Sequence, residues 1–404
     1  MFFFNQVISF IFYKMGYLLI TPKTYSFGGF YQTLIYGLKF CELKKKKNLL
    51  VIGLINLHEK NFFKIYNFNL VLKIFYKYSI IEKFFCILLS VILNLNLLIL
   101  LILRKLRLWI FFQNFFKYAV CDYFGYANRH NHFEKHDDKD FFLKKINFKI
   151  KDIIGQKIDF SNLYSYGYDK NKFVTFCIKD SNYDKLKSIS TSYASDVYKC
   201  KKSLDFLIGK NFKVFKVGDP TMRKFNYLNN NYFNFCDDKK NQFYLNNSYA
   251  NCNFYFGSSA SHGIIPELFN KKKIIINQVD HVALTLSTEL NNFLLFKKVY
   301  SSKTNNLIKI EELFKKDLMS FENLSIAEKN NEIKLVENSE DEILESLIEF
   351  YEYNFKGNKI DTSLNKKYFE LRREYLIKNN KFINIEFFDK TLCTISNKYL
   401  INNL

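Results

Sequence analysis

Short runs of hydrophobic residues alternate with polar segments along the first 55 residues. GYLLIT (16–21) and LLVIGLI (49–55) each have the length and continuous apolar character of a buried strand. Between them, YSFGGF (25–30) predicts a tight Gly-Gly turn, and FYQTLIYGLKFCEL (30–43) has the hydrophobic spacing of a helix. Strand, turn, helix and strand together predict a βαβ unit with which a parallel sheet begins.

The same alternation starts again in the second half of the chain. Four strands are predicted, within KFVTFCIKD (172–180), FKVFKVGD (212–219), NSYANCNFYFG (247–257) and KKIIIN (272–277). Two helices are predicted between them, SYASDVYKCKKSLDFLIGK (192–210), capped at Ser195-Asp196 and closing on Gly209, and SHGIIPELFN (261–270). Acidic segments with helical character follow after residue 335.

A second βαβαβ run with its own start indicates a domain boundary near residue 165. We predict an α/β fold of two Rossmann-like parallel-sheet domains, 1–165 and 166–350, followed by a C-terminal helical tail, 351–404. At 404 residues the chain is long enough for two such domains.

Residues 84–103, FFCILLSVILNLNLLILLIL, carry no charge, and the run is long enough to cross a bilayer. A single span would put the strands of 16–55 and the rest of the chain on opposite sides of the membrane. Asn94 and Asn96 would also lie in the middle of the span, where polar groups are costly. The pattern favours a membrane-associating segment, 84–112, that docks on a membrane surface, with a true span as the alternative.

Sixty Lys and Arg against 39 Asp and Glu give a net charge of +21, which raises the question of nucleic-acid binding. The basic residues are mostly Lys, and the chain has no Arg-rich, zinc-finger or RNP-like reading element. Lys, Asn, Ile, Phe and Tyr are over-used together, as in A/T-rich coding. We therefore expect no nucleic-acid partner, and a basic surface that faces anionic headgroups or a phosphorylated substrate.

The eight cysteines are scattered, without a CxxC pair, and several lie inside apolar runs. Such cysteines behave as small hydrophobic side chains, which is typical of a reducing compartment. The expected location is cytoplasmic, on the inner face of the cytoplasmic membrane.

Three histidines lie in the polar segment 121–147, where His130, His132 and His136 precede two aspartates. Imidazole and carboxylate groups ligate first-row metals, but without a cysteine partner or a fixed element an exposed loop is the better interpretation. No metal is expected. This loop is also a candidate source of a catalytic base.

The stretch FYFGSSASHGIIPELFN (254–270) has the plan of an anion site. A strand ends at Gly257, Ser258, Ser259 and Ser261 follow, and a helix begins around His262-Gly263. Glycines permit close backbone approach, and the hydroxyl and free amide groups at a helix start hold a diphosphate well. A serine-rich helix cap without a ligand fits the stretch equally well.

Together, FVTFCIKDSNY, SYASDVYKCKKSLDFLIGKNFKVFKVGDP and FYFGSSASHGIIPELFNKKKIIIN resemble a group of bacterial GT-B-type glycosyltransferases of surface-polysaccharide gene clusters, which are distantly similar to heptosyltransferases and fucosyltransferases. The resemblance covers about 145–350 and is weaker in the first 120 residues. The chain departs from the family pattern at Lys179, where the family favours Arg, and at Ala194-Ser195, where Arg-Asn is expected.

The resemblance implies a GT-B-like enzyme, in which two Rossmann-like domains face each other across a cleft. It would move a sugar from a nucleotide-diphospho-sugar to a cell-surface glycan or lipid-linked acceptor, without a metal or other cofactor. Lys179 and Asp180 become the candidate catalytic residues, with Lys179 at the diphosphate. The candidate donor-binding residues are Ser181, Gly218, Asp219, Gly257, Ser258, Ser259, Ser261, His262, Gly263 and Glu267, the last for the ribose hydroxyls. The candidates for the acceptor side are Gly28, Gly29, His130 and His132.

An alternative interpretation remains open for several of these residues. Residues 180, 181, 218 and 219 also fit ordinary turns without a ligand, and Glu267 also fits an exposed position on a helix. Two other functions also remain open. One is a catalytically impaired, membrane-associated protein that binds nucleotides or carbohydrates, and the other is a basic scaffold for membranes or nucleic acid.

Overall fold

The chain divides into two compact units in the computed structural model, Met1–Asp159 and Phe160–Leu404. In the first unit the structure describes the backbone of residues 17–21, 48–51 and 119–121. In the second unit it describes residues 172–182, 191–218, 221–236, 248–249, 251–258, 263, 265–281, 288–379 and 392–404.

The described part of the first unit is a three-stranded parallel sheet. Its strands are β1 (Tyr17–Thr21), β2 (Asn48–Val51) and β3 (Ala119–Cys121), in the order β2-β1-β3. β1 pairs in parallel with β2, as the predicted βαβ unit requires. The predicted helix 30–43 and the apolar segment 84–112 lie outside the described residues. Among the helices that the structure describes, none is both long and apolar enough to cross a membrane.

The second unit is built on a seven-stranded sheet in which every pairing is parallel. Its strands are β4 (Phe173–Cys177), β5 (Lys213–Lys216), β6 (Tyr232–Asn234), β7 (Phe254–Ser258), β8 (Lys272–Gln278), β9 (Thr288–Phe296) and β12 (Leu392–Ile395). Their order is β6-β5-β4-β7-β8-β9-β12. Buried parallel strands are apolar on both faces, which is why FVTFC and FYFGS are buried at every position.

Helices surround this sheet, and a two-stranded antiparallel sheet of β10 (Lys298–Ser301) and β11 (Ile333–Val336) follows β9 along the chain. The helices are α1 (Lys201–Gly209), α2 (Ile265–Leu268), α3 (Ile310–Lys315), α4 (Phe321–Lys329), α5 (Glu340–Lys356), α6 (Ser363–Asn379) and α7 (Asn397–Asn403). Two 3-10 turns, Thr191–Tyr193 and Val197–Cys200, precede α1.

Helix α5 shows how local sequence sets these elements. Ser339 caps its start and forms a reciprocal capping box with Glu342, and Gly357 ends it in the left-handed conformation with φ of 73°. Three acidic residues in the first turn face the positive end of the helix dipole. Phe350 then packs against Phe254 and Phe293, so α5 covers one face of the central strands.

The predicted α/β class and parallel sheet are confirmed, while several element boundaries differ. The helix predicted over 192–210 with a cap at Ser195-Asp196 starts after Asp196, but its first turn, Val197–Cys200, is 3-10, and α1 proper runs from Lys201 to Gly209. Of the helix predicted over 261–270, the described residues show helix at 265–268. The segment 351–404, predicted as a helical tail, also contributes strand β12 to the sheet, and α5 runs through residue 350.

Candidate functional site

The strand order reverses in the middle of the large sheet. From β4 the chain moves outward through β5 and β6, and it then returns to β7 on the other side of β4 and continues through β8, β9 and β12. In open parallel sheets, ligands bind beyond the carboxyl ends of the two strands at this switch point. Here those strands are β4 and β7, which are in register at Cys177 and Gly257. We call the region just beyond them the switch-point edge; it comprises Ile178–Ser181, Gly257 and Ser258.

Ser258 holds the two strands together at the switch-point edge. Its Oγ accepts a hydrogen bond of 2.8 Å from the backbone N–H of Lys179, and the residue is completely buried. The predicted phosphate-binding serine is therefore part of the strand junction, directly beside the predicted catalytic lysine.

Gly257 is required by packing between strands. A Cβ there would overlap the Cys177 carbonyl oxygen and the Tyr255 hydroxyl, so the space above the glycine is filled by the protein itself. Glycine is also required at position 218. Its φ of 148° disfavours a side chain, and a Cβ there would lie only 2.6 Å from the Met222 Sδ. Close packing within the protein therefore explains both glycines, rather than space left for a ligand.

Lys179 brings a positive charge to the switch-point edge. Its Nζ lies 5.8 Å from the centroid of the Tyr193 ring, and Tyr193 in turn stacks on Phe321 at 4.3 Å. The residue is half-buried. An ammonium group in this position can attract an anionic ligand.

Asp180 is 4% exposed, and both of its carboxylate oxygens accept hydrogen bonds from backbone amides. Oδ1 accepts from Asn182 at 2.8 Å, and Oδ2 accepts from Arg223. These bonds tie the turn after β4 to the loop after β5. The geometry gives this predicted catalytic carboxylate an anchoring role.

The remaining predicted site residues differ in how much of them the structure describes. Ser181 is exposed at the switch-point edge, whereas Gly263 is buried near Ile275, and its carbonyl oxygen accepts from Lys273 Nζ at 3.4 Å. Glu267 belongs to α2, and its side chain lies outside the described residues. The other predicted site residues lie outside the described residues altogether: Gly28, Gly29, His130, His132, Asp219, Ser259, Ser261 and His262.

The structure adds a segment that the sequence indicated as a helix start and as a departure from the family pattern. Residues 192–196, which we call the edge segment, cross from β4 towards β9. The backbone N–H of Ser195 donates to the Lys179 carbonyl at 2.8 Å, and Lys297 Nζ donates to the Ala194 carbonyl at 2.7 Å. Lys297 is 5% exposed, and its burial lowers its pKa, against the opposing influence of Glu337 and Glu328.

Lysines end three of the seven strands, and for the predicted strands β4 and β5 this was visible in the sequence. Lys179 follows β4, Lys216 is the last residue of β5, and Lys297 follows β9. Lys216 and Lys297 are buried and donate to the carbonyls of Arg223 and Ala194, which places them as supports for loops. Lys179 is the more exposed of the three.

Within the described ranges, no group of three or more His, Cys, Asp or Glu side chains is arranged to hold a metal ion. The predicted histidine loop lies outside those ranges. Comparison with protein-family models, curated proteins and solved structures gave no match to this chain.

Proposed function

We propose that the second unit binds a nucleoside-diphosphate sugar at the switch-point edge and that the protein transfers the sugar to a glycan or lipid-linked acceptor. The observation that carries the proposal is the half-buried Lys179 directly beyond the switch point of a Rossmann-like sheet. The sequence resemblance to GT-B glycosyltransferases supports the choice of ligand.

In this proposal Lys179 binds the diphosphate and stabilises the negative charge that develops on it as the glycosidic bond to the sugar breaks. Fixed positive groups accelerate such a step because they interact more strongly with the transition state than with the bound substrate. Ser258 positions Lys179 by accepting its backbone N–H, and Asp180 fixes the turn that follows. Since Asp180 already accepts two backbone hydrogen bonds, the base that activates the acceptor comes from another part of the chain.

The proposal further includes a GT-B-like arrangement, with the acceptor bound by the first unit and with that unit docked on an anionic membrane surface. The predicted apolar segment 84–112 and the net charge of +21 support this part.

Replacing Lys179 by Ala is expected to weaken nucleoside-diphosphate binding by about 10- to 100-fold, because a charge-assisted contact contributes roughly 1.5–3 kcal/mol. Folding should be little affected, since Lys179 is only half-buried. Binding is measured by calorimetric titration with UDP, GDP and ADP and with their sugars, after a thermal-shift screen that identifies the nucleotide.

The matched control is Lys172→Ala, which removes an exposed lysine at the opposite end of the same strand. It lowers the net charge by the same amount but should leave the affinity unchanged. Equal losses in the two variants would show a diffuse effect of charge, and no loss in Lys179→Ala would overturn the site. Sugar release from the bound donor, measured with each candidate acceptor, then separates a transferase from a protein that only binds.

A further inference from the structure

The edge segment is held in place by contacts from several directions. Its backbone is tied to β4 by Ser195, to β9 by the Lys297 ammonium group and to the Glu337 carboxylate through the Asp196 amide, at 2.9 Å. The ring of Tyr193 also stacks on the ring of Phe321, which gives the edge segment a further contact. A segment fixed in this way presents its side chains in one arrangement before any ligand arrives, which reduces the entropy lost on binding.

One polar atom of the edge segment is left without a partner. Ser195 is 2% exposed, and its Oγ has no hydrogen-bond partner in the structure as described. Buried hydroxyl groups are nearly always paired, because an unpaired one has lost its hydrogen bonds to water. The Ser195 hydroxyl therefore requires either a water molecule or a ligand group beside it.

The charges around the edge segment favour a ligand group with anionic oxygens. The backbone N–H of Ser195 donates to the Lys179 carbonyl, and the Lys179 Nζ lies over the ring of Tyr193, so Lys179 is a direct neighbour of the edge segment through both its backbone and its side chain. Among the described residues, three carboxylates lie on or reach the edge segment and each is engaged: Glu328 with the Ser192 hydroxyl, Glu337 with the Asp196 amide, and Asp196 with the Tyr198 amide and Arg223. A hydroxyl donor beside a lysine is suited to a phosphate oxygen.

We propose that the Ser195 hydroxyl donates a hydrogen bond to the same diphosphate that Lys179 binds. This inference rests on the proposed function, and it adds a ligand contact from a position where the resembling family has a different residue. Because the contact is to the phosphates, it contributes equally to every nucleoside diphosphate, whatever the base. The hydroxyl makes no hydrogen bond to the protein in the described structure, so its removal is not expected to harm folding.

The test is the Ser195→Ala variant of the full chain, with UDP, GDP, ADP and inorganic pyrophosphate as probes. Affinity for each diphosphate that binds the unaltered protein should fall roughly tenfold, as is typical for the loss of a hydrogen bond to a charged group. The midpoint of thermal unfolding without ligand should stay the same or rise. Binding of the nucleosides uridine, guanosine and adenosine should not change.

Ser203→Ala provides a matched control. Ser203 is also completely buried with an Oγ that has no partner in the described structure, but it lies on α1 rather than on the edge segment. The same atom is removed from a similar environment, so this variant should keep its full affinity for diphosphates. A loss of affinity in Ser203→Ala equal to that in Ser195→Ala would assign both losses to altered packing and would overturn the inference.

Other outcomes separate this inference from the proposed function. If Lys179→Ala weakens diphosphate binding and Ser195→Ala does not, the site stands and a water molecule satisfies the hydroxyl, which overturns the inference alone. If nucleoside binding weakens as much as diphosphate binding, the hydroxyl contacts the base or ribose, and the phosphate contact is wrong. If neither variant changes the affinity, or if the unaltered protein binds no diphosphate, both proposals fall.

Discussion

Gly257→Ala is expected to lower the free energy of unfolding by about 3 kcal/mol or more, the upper range for inserting one methyl group into a closely packed core. The added Cβ would overlap the Cys177 carbonyl oxygen on β4 and the Tyr255 hydroxyl on β7 itself. Neither atom can move easily, because one is backbone in the middle of the sheet and the other belongs to a completely buried ring. β4 and β7 would have to separate at the switch-point edge.

The control is Gly209→Ala at the last position of α1, where a Cβ meets nothing within 4 Å. Alanine should be neutral there or stabilise by roughly 0.5–1 kcal/mol, because it has less freedom in the unfolded chain. Urea unfolding followed by far-UV circular dichroism measures both variants. Equal stability of Gly257→Ala and Gly209→Ala would contradict the packing described at the junction of β4 and β7.

Acidification is expected to destabilise the protein through His281, a completely buried histidine. Its ring stacks on Phe296 at 3.8 Å, and its Nδ1 lies 3.1 Å from the Tyr368 hydroxyl. Burial, with a further effect of the nearby Arg372, lowers the pKa of His281 to about 3. In the unfolded chain the pKa of histidine is about 6.5.

Between pH 6.5 and 3 the unfolded chain therefore binds a proton at this residue that the folded chain does not bind. The contribution of His281 to stability is complete above about pH 6.5 and falls, as the pH decreases, by about 1.4 kcal/mol per unit. His281→Gln removes the titration and keeps a polar group near Tyr368. Carboxylates titrate in both proteins, so the difference between their urea stabilities from pH 7 to pH 4 isolates the histidine. A difference that does not vary with pH would show that His281 is charged or exposed in the folded protein.

The interior strands could be predicted because burial on both faces requires an uninterrupted run of apolar residues. FVTFC is a continuous run of apolar or β-branched residues, and KKIIINQ is centred on three isoleucines; both form strands within three residues of the predicted bounds. β9 was not predicted, although it is the longest strand of the sheet, with nine residues. Its first half, TELNN, is polar, and only its second half, FLLF, has the pattern of a buried strand.

The cap before α1 was predicted from local sequence, but the 3-10 form of the turn between the cap and α1 was not. Ser195 and Asp196 are typical capping residues, and Asp196 does cap the 3-10 turn that begins at Val197. Residues 194–196 are not helical, and Lys297 and Glu337, which lie far away along the chain, hold their backbone. Contacts between residues this far apart leave no mark in a hydrophobic pattern.

The placement of Lys179 and Ser258 at one edge of the sheet could be predicted from the sequence, but the contacts of the polar residues there could not. In the sequence, Lys179 follows one predicted buried strand and Ser258 lies at the end of another. The structure pairs these strands and brings the two residues side by side. Which polar groups support the backbone, as Ser258 and Asp180 do, depends on hydrogen bonds that form only in the folded unit. The sequence indicated Ser195 as a helix cap, whereas in the described structure it has a buried hydroxyl without a hydrogen-bond partner.

The lengths of the strands also bear on how this apolar chain avoids aggregation. The two edge strands of the large sheet are short, with three residues in β6 and four in β12, whereas the interior strands β8 and β9 have seven and nine. The pairing of β12 with β9 is also irregular between Leu392 and Thr394. Short or irregular edges offer few unpaired N–H and C=O groups to a strand of another molecule. The long, hydrophobic strands that would recruit such a partner are instead enclosed by neighbours on both sides.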